Sequence, residues 1–549
     1  MLGNSTEYRS PKGRVNFFTT SVLFLAITGL LFVEASWKHS IVYGSVLYPL
    51  DDSYIHLAIA KSLAESGTWG ISPGNPSAAS SSPLWTIILA AAASLLQFLG
   101  SITISWVPFI GNVVAGIALI WFWGRRFADT PFPRASTILL ILVVPLPAIA
   151  LIGMEHVLHA FLATVLAWTA SEQIEEHSPP NRRAQVTLAL LSGLTVAARY
   201  ESLALVGAIA VLAVWHRQWR IVPAIVLPPV VVLAGFGLVW VHGGGWLVPN
   251  SLLLKTTLGS MGGQMTVNNV YLGPPMISNL IVTLGLVLAV LAVLLTRRNI
   301  RERGLVILAL AATLGQYLAG GIGWLFRYEA WLIALDVFAI VCASSVLLGD
   351  RPKVFAAVLA GLALACLPRA ETSLLITPMA AQDREWEHFG PTRALATYAN
   401  RAILVNDVGV VGYFGGLRPV DIYGLADNRS LRLKRAGHFD SLAVQKFARS
   451  VGASVGEVQI CWAEVNARFP VGWSLVEVWK GPRNVVFGDR LVAFMAADQT
   501  EAMKLAGALG NAHLPDGVQR FTITSPELRR FNAANDKPEA ANKLCNALS

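Results

Sequence analysis

Twelve apolar runs govern what this chain can become. The first, Phe17 to Trp37, follows a tail carrying Arg9, Lys12 and Arg14; the others cover roughly 84–100, 104–123, 135–151, 156–171, 185–199, 200–215, 221–241, 279–296, 304–320, 328–348 and 353–368. A run of about 20 apolar residues crosses the hydrocarbon core as a helix. With 54% hydrophobic and only 14% charged residues, the 549-residue chain is too apolar for a soluble globule. Several runs are short, so the expected fold class is an α-helical polytopic membrane protein with about 11–12 transmembrane helices.

The first run has no small-residue cleavage site, so it reads as a retained helix with the N-terminus in the cytoplasm. Basic loops at Arg125-Arg126, Arg217 to Arg220, Arg297 to Arg303 and Arg351 to Lys353 mark the same side. They leave a first outer loop at 38–83, a second at 242–278 and everything after about 368 outside, across an inner or plasma membrane. The net charge of +9 is spread over these short loops, a pattern of orientation and not of nucleic-acid binding. One conflict stays open: with Arg125 inside, 84–123 must cross an odd number of times, yet it reads as two helices split at Gly100-Ser101.

After Pro368 the composition becomes mixed, with Asp383 to His388, short β-like runs at Ala402 to Val405 and Leu475 to Val478, and Gly-rich turns. Residues 369–549 are therefore expected to form an extracytoplasmic α/β domain beside a membrane module of residues 1–368. Four cysteines are too few for a disulfide framework. Cys342 and Cys366 lie in apolar runs, which leaves Cys461 and Cys545 to pair.

Asp51-Asp52-Ser53-Tyr54-Ile55-His56 opens the first outer loop. Two adjacent carboxylates at a membrane surface rarely serve packing, since each costs several kcal/mol if dried out unpaired. Tyr54 to Ala64 reads as an amphipathic helix lying on the bilayer, with Ile55, Ile59 and Leu63 on one face. The plain alternative is an N-cap by Asp52 or Ser53. Glycine, proline and serine from Gly67 to Ser82 exclude a regular helix there and leave either a flexible loop or a backbone wall beside a substrate.

Charges also interrupt apolar runs at Arg199-Tyr200-Glu201 and again at Arg327-Tyr328-Glu329. Such residues are structural ion pairs, snorkelling cations or an anion clamp for a phosphate. Asn250 and Lys255 open the second outer loop, where a lysine can snorkel or hold a phosphate at headgroup level. Glu155, His156 and His159 lie within a turn of one another, without the spacing of a zinc-protease helix. No phosphate-cradling glycine loop, nucleophile elbow or Cys/His zinc pattern is present, so a soluble nucleotide donor is not expected.

In order along the chain, these pieces resemble the membrane-embedded C-type glycosyltransferases that use polyprenyl-phosphate sugars. They resemble in particular the branch that includes the terminal arabinofuranosyltransferases of actinobacterial cell walls. The residues concerned are Asp51 to Ile55, Asn75-Pro76, Ser82 to Trp85, Gly153-Met154-Glu155, Arg199-Tyr200-Glu201, and Pro249-Asn250-Ser251 with Lys255. The outer region adds Asp407, Gly409, Gly412-Tyr413-Phe414 and Val420 to Asp427. Two departures are a tyrosine at 200, where the branch more often has proline, and a loop 74–82 unusually rich in serine and alanine.

The resemblance implies an enzyme, a hexosyl- or pentosyltransferase moving sugar from a polyprenyl phosphate to a cell-envelope glycan or lipid with inversion. Asp51 would be the base, and Asp52 would orient the acceptor or join Asp51 in holding a divalent cation (Mg, Mn or Ca). Lys255, Arg199 and Arg327 would meet the departing phosphate, with Tyr54, His56, Glu155, Glu201, Asn250 and Glu329 in support. The rivals are a lipid or glycan flippase and a non-catalytic assembly protein with a glycan-binding outer domain. A flippase should show paired halves with interrupted helices at the midplane.

Overall fold

A computed structural model describes residues 11–96, 103–176, 180–255, 274–296, 302–319, 325–462, 468–486, 490–534 and 536–548, with isolated positions between them. Six described helices are long and apolar enough to cross a membrane: Phe17–Tyr43, Val107–Arg126, Ile221–His242, Met276–Leu295, Ala330–Leu347 and the start of Pro352–Ala394. Four shorter apolar helices join them. The chain is a multi-pass membrane protein carrying a sheet-containing C-terminal domain. Pro83–Leu96, at 14 residues, is about 21 Å long and falls short of a core about 30 Å thick.

The chain folds into two compact units, neither contiguous in sequence. The first gathers Met1–Glu34, Pro108–Ala234 and Thr256–Thr377. Its regular elements are all helices among the described residues, with Ala330–Leu347 buried along nearly its whole length. Elsewhere in the unit a small residue allows close helix packing: Phe24 lies so close over Gly116 that a Cβ would meet its ring at 2.6 Å.

The second unit gathers Ala35–Val107, Gly235–Lys255 and Pro378–Ser549. Its centre is a six-stranded mixed sheet in the order β2-β1-β3-β5-β4-β6. The strands are β1 (Ala402–Val405), β2 (Arg418–Asp421), β3 (Val455–Gln459), β4 (Ser474–Lys480), β5 (Leu491–Ala496) and β6 (Gln519–Thr522). β1 pairs in parallel with β2 and β3, and the remaining pairs are antiparallel. β1, β3 and β5 are buried at every residue, as expected of strands covered on both faces. A disulfide between Cys461 and Cys545 ties the C-terminal helix Lys537–Leu548 to the segment just after β3.

The helix Asp51–Ser66 belongs to this unit and does not lie on a surface. Ten of its sixteen residues are buried, including Tyr54, His56, Ala58 and Ala60, against the helices Pro83–Leu96 and Gly409–Phe414. Its small residues let neighbours approach on several sides: a Cβ at Gly412 would meet Ala58 at 3.5 Å. Leu50 is its N-cap and no side chain caps it, which removes the N-cap account of the acid pair. Gly67, at φ 68°, closes the helix in the left-handed conformation.

The loop that follows is a wall, not a flexible tether. Ser77, Ala78, Ala79, Ser80 and Ser82 are buried, Asn250 N donates to Ala78 O (3.0 Å) and Asn428 Nδ2 donates to Pro76 O (3.2 Å).

Candidate active site

The turn after β1 runs Asn406-Asp407-Val408 into the short helix Gly409–Phe414. Ligand groups in α/β sheets gather beyond the carboxyl ends of parallel strands, and Asp407 sits at such an end. Its carboxylate lies beside two others. Asp51 Oδ2 accepts from Gly409 N at 2.7 Å and Oδ1 from Val410 N at 2.9 Å, so the first acid of the Asp51-Asp52 pair is seated on the amides that open this helix. Glu457, buried on β3, faces both acids electrostatically.

The third element is a π-helix, Glu385–Phe389. Such widened turns are rare and recur at functional sites. This one carries His388, whose Nε2 lies 3.4 Å from Asp407 Oδ2 and 3.9 Å from Asp51 Oδ1. It is pinned on both sides: Glu385 pairs with His39 and Arg393, and Glu387 with the buried Arg384 at 2.7 Å. One ligand atom each from Asp51, His388 and Asp407 falls within 4.8 Å of the others.

Burial drives the Asp51 carboxyl above its ordinary value, with Asp407 adding to the rise and His388 and the two amides opposing it. Burial also lifts Asp407 to about 7, against Arg384 and with Asp52. Asp407 keeps 22% of its side chain exposed, so water tempers that rise. Glu457 is pushed well up by burial, then by Asp407 and Asp51. Three carboxyls that resist ionising together form a group that a cation would relieve.

The donor set fits such an ion. Two carboxylates and one imidazole suit a divalent metal, and Asp407 Oδ2 accepts no hydrogen bond among the described residues. Asp52 is not one of these three residues, although its charge acts on Asp407. Sequence reasoning placed Asp407 by resemblance and gave His388 no role. The only local signal was the run Trp386-Glu387-His388-Phe389 before Gly390-Pro391, just past the last apolar run.

Three of the expected supporting residues, Tyr54, His56 and Asn250, brace this unit. Tyr54 Oη donates to Val46 O (3.0 Å) and accepts from Tyr48 N (2.8 Å). His56 Nδ1 lies 3.0 Å from Thr86 Oγ1 and 3.2 Å from Ser80 Oγ, fixing the serine-rich wall. Asn250 donates through Nδ2 to Leu425 O and Asn428 Oδ1, both at 3.0 Å. Lys255 closes the helix Asn250–Lys255, and its side chain lies outside the described residues.

In the helical unit, the remaining charges form a second cluster. Arg199 donates to Glu155 Oε1 (2.6 Å) and clasps both oxygens of Glu201 (2.5 and 3.2 Å). Its charge is thus met by two carboxylates. Arg327 donates to Met154 Sδ and to Tyr328 Oη at 3.1 Å. It follows Leu325 and Phe326, both at φ 60°, a strained turn for residues with side chains. Glu329 accepts from Arg369 (2.7 Å) and from Gly323 N (2.8 Å), so it braces that turn.

Comparison with known proteins agrees on fold. The structure of ArnT from Cupriavidus metallidurans bound to undecaprenyl phosphate matches with a TM-score of 0.54 and 14% identity, over 89% of this chain and 99% of that one. At that identity the likeness is one of architecture, the one expected from the resemblance to C-type glycosyltransferases. Two structures of the Archaeoglobus fulgidus oligosaccharyltransferase match at a TM-score of 0.48 and 12% identity, over 91% of this chain and 75% of theirs; one is the apo form, the other is tethered to an acceptor peptide containing the NVT sequon. Residues 381–498, which include His388, Asp407 and Glu457, match a domain family of unknown function, DUF8728. No curated protein matches.

Proposed function

We propose that this protein is an integral membrane glycosyltransferase that moves a sugar from a polyprenyl phosphate to a cell-envelope glycan or lipid at the outer face of the membrane. The observation that carries the proposal is the meeting of the buried Asp51 and His388 with the half-buried Asp407. Carboxyls held together in a largely buried site cost free energy, and burial raises the pKa of the Asp51 carboxyl, which makes it the stronger base.

In this reading Asp51 takes the proton of an acceptor hydroxyl as its oxygen bonds to the anomeric carbon. The bond from that carbon to the phosphate oxygen breaks on the opposite face, and its electron pair leaves with the polyprenyl phosphate. The anomeric centre is inverted. Asp407 strengthens Asp51 as a base by raising the cost of a second negative charge beside it. A divalent ion held by Asp51, His388 and Asp407, with Asp52 nearby, would supply positive charge for the departing phosphate or the acceptor.

The cationic partners of the donor phosphate are Arg327, Lys255 and Arg199. Arg199 stands in this role behind the others, because two glutamates already meet its charge. The Cys461–Cys545 bond suits an oxidising compartment and supports placing the C-terminal domain outside the cytoplasm, with the N-terminus inside. The motif order favours the branch containing the terminal arabinofuranosyltransferases, with the sugar open.

The test is transfer from a panel of radiolabelled polyprenyl-phosphate sugars to membrane glycan extracts by purified wild type, Asp51→Asn and Asp407→Asn. Loss of the base should cost about 10²–10⁴-fold in rate. Matched thermal melts separate loss of chemistry from loss of fold. Full turnover by a folded Asp51→Asn protein refutes the assignment of the base, and lipid translocation without transfer by wild type points to a flippase.

A further inference from the structure

Between β2 and β3 the sheet unit carries two helices, Asn428–Arg435 and Ser441–Val451. Together they hold six cations, Arg429, Arg432, Lys434, Arg435, Lys446 and Arg449, and no carboxylate. The nearest acids in sequence are their N-caps, Asp427 and Asp440, and Arg429 pairs with Asp427 at 3.2 Å. A groove of about 450 Å³ opens between the helices, with Arg429, Arg432 and Lys446 at its rim and Leu433, Ala443 and Phe447 beneath. Its surface is cationic above and apolar below.

The same face carries a stretch of different chemistry. Trp246, Leu247 and Val248 are 39%, 65% and 43% exposed, a run of three large apolar residues that a water-facing loop would not retain. Arg435 stacks its guanidinium 5.1 Å from the Trp246 ring centre, and Arg432 donates to Gly244 O at 2.7 Å. The cationic helix and the apolar loop are therefore one surface. Trp246 lies four residues beyond His242, the last residue of the apolar helix Ile221–His242, so chain length alone holds the loop within about 14 Å of that helix end.

We propose that this surface binds the anionic headgroups of membrane phospholipids, the phosphates taken by the arginines and Lys446 and the apolar loop entering the acyl boundary. Tryptophan is the residue of that boundary, and clustered lysine and arginine beside it are how a protein reads negative lipid. A soluble polyanion would satisfy the cations but leaves Trp246, Leu247 and Val248 in water. That difference favours lipid over an acidic glycan.

Full-length protein is placed in nanodiscs of phosphatidylcholine alone or with phosphatidylglycerol, and hydrogen exchange is followed at residues 428–449. Phosphatidylglycerol is expected to slow exchange several-fold, and high salt to restore it. The variant Lys446→Glu/Arg449→Glu, whose side chains make no ion pair among the described residues, is expected to lose the protection while keeping the melting temperature. Arg432→Gln/Arg435→Gln should lose it as well. Equal exchange in the two lipids, or protection indifferent to charge reversal, overturns the proposal. Stronger protection by a soluble anionic polysaccharide in phosphatidylcholine discs overturns the lipid assignment in favour of a glycan.

Discussion

Gly409 has room for a hydrogen and nothing larger. A Cβ there would come within 2.8 Å of both carboxylate oxygens of Asp51, and closer still to its backbone carbonyl. Gly409→Ala should therefore push Asp51 off the amides that seat it, and transfer should fall at least about tenfold, as displacement of a reacting group by about 1 Å does. Steady-state assay beside a melt checks this, and unchanged turnover would free Asp51 from the role. Asp421, at the end of β2, gives a separate test through pH. It accepts from Tyr423 N and Ala426 N, yet burial lifts its carboxyl to about 7. Below about pH 4 the group is protonated in both folded and unfolded chains; between about 4 and 7 only the folded state keeps the proton, so stability from this group is lost as pH rises, by at most about 1.4 kcal/mol per unit. Denaturant unfolding of wild type and Asp421→Asn should show the asparagine variant gaining relative stability up to about pH 7 and levelling beyond it. A pH-independent difference would refute the assignment. Charges in an apolar setting, such as Asp51, Glu155 and Arg199, were legible in the sequence because that setting makes them expensive. His388 was not, because it lies in a polar stretch where a histidine is ordinary.

At the scale of elements, the acid-bearing helix and the π-helix teach different lessons. Periodicity located the first within a few residues but put it on a surface; alanine and serine on its polar side hid the fact that neighbours close in all round. The π-helix has no sequence signature, since its extra residue is stabilised by what packs around it. Gly481, just after β4, is part of that packing: a Cβ there would meet the Trp386 ring at 2.5 Å. Gly481→Ala is expected to cost about 1–3 kcal/mol by overpacking and, since Trp386 is two residues from His388, to lower transfer as well. Chemical denaturation and assay together check it. Wild-type stability in this variant would mean the turn yields freely.

At the scale of the molecule, hydropathy showed how many runs are apolar but not which loops fold together. That residues 35–107 and 235–255 join the C-terminal sheet in one compact unit rests on contacts such as Asp51 with Gly409 and Asn250 with Asn428. The Cys461–Cys545 bond closes the chain between two cysteines 84 residues apart into a loop. Its removal by Cys461→Ser/Cys545→Ser should cost about 2–5 kcal/mol. Thermal melts with and without reductant check this: wild type should fall to the variant's midpoint when reduced, and the variant should not respond.

The seat of Asp51 is 358 residues away along the chain, and that distance has a temporal meaning. A ribosome adding about 5–20 residues per second needs about 20–70 s to pass from Asp51 to Gly409. Throughout that interval the nascent chain owns a carboxylate but no amides to aim it, and His388 and Asp407 are added only near its end. On the proposed mechanism, interrupted translation products lack a formed site, and competence arrives only when Gly409 and the sheet that carries it have been made and have folded onto Asp51.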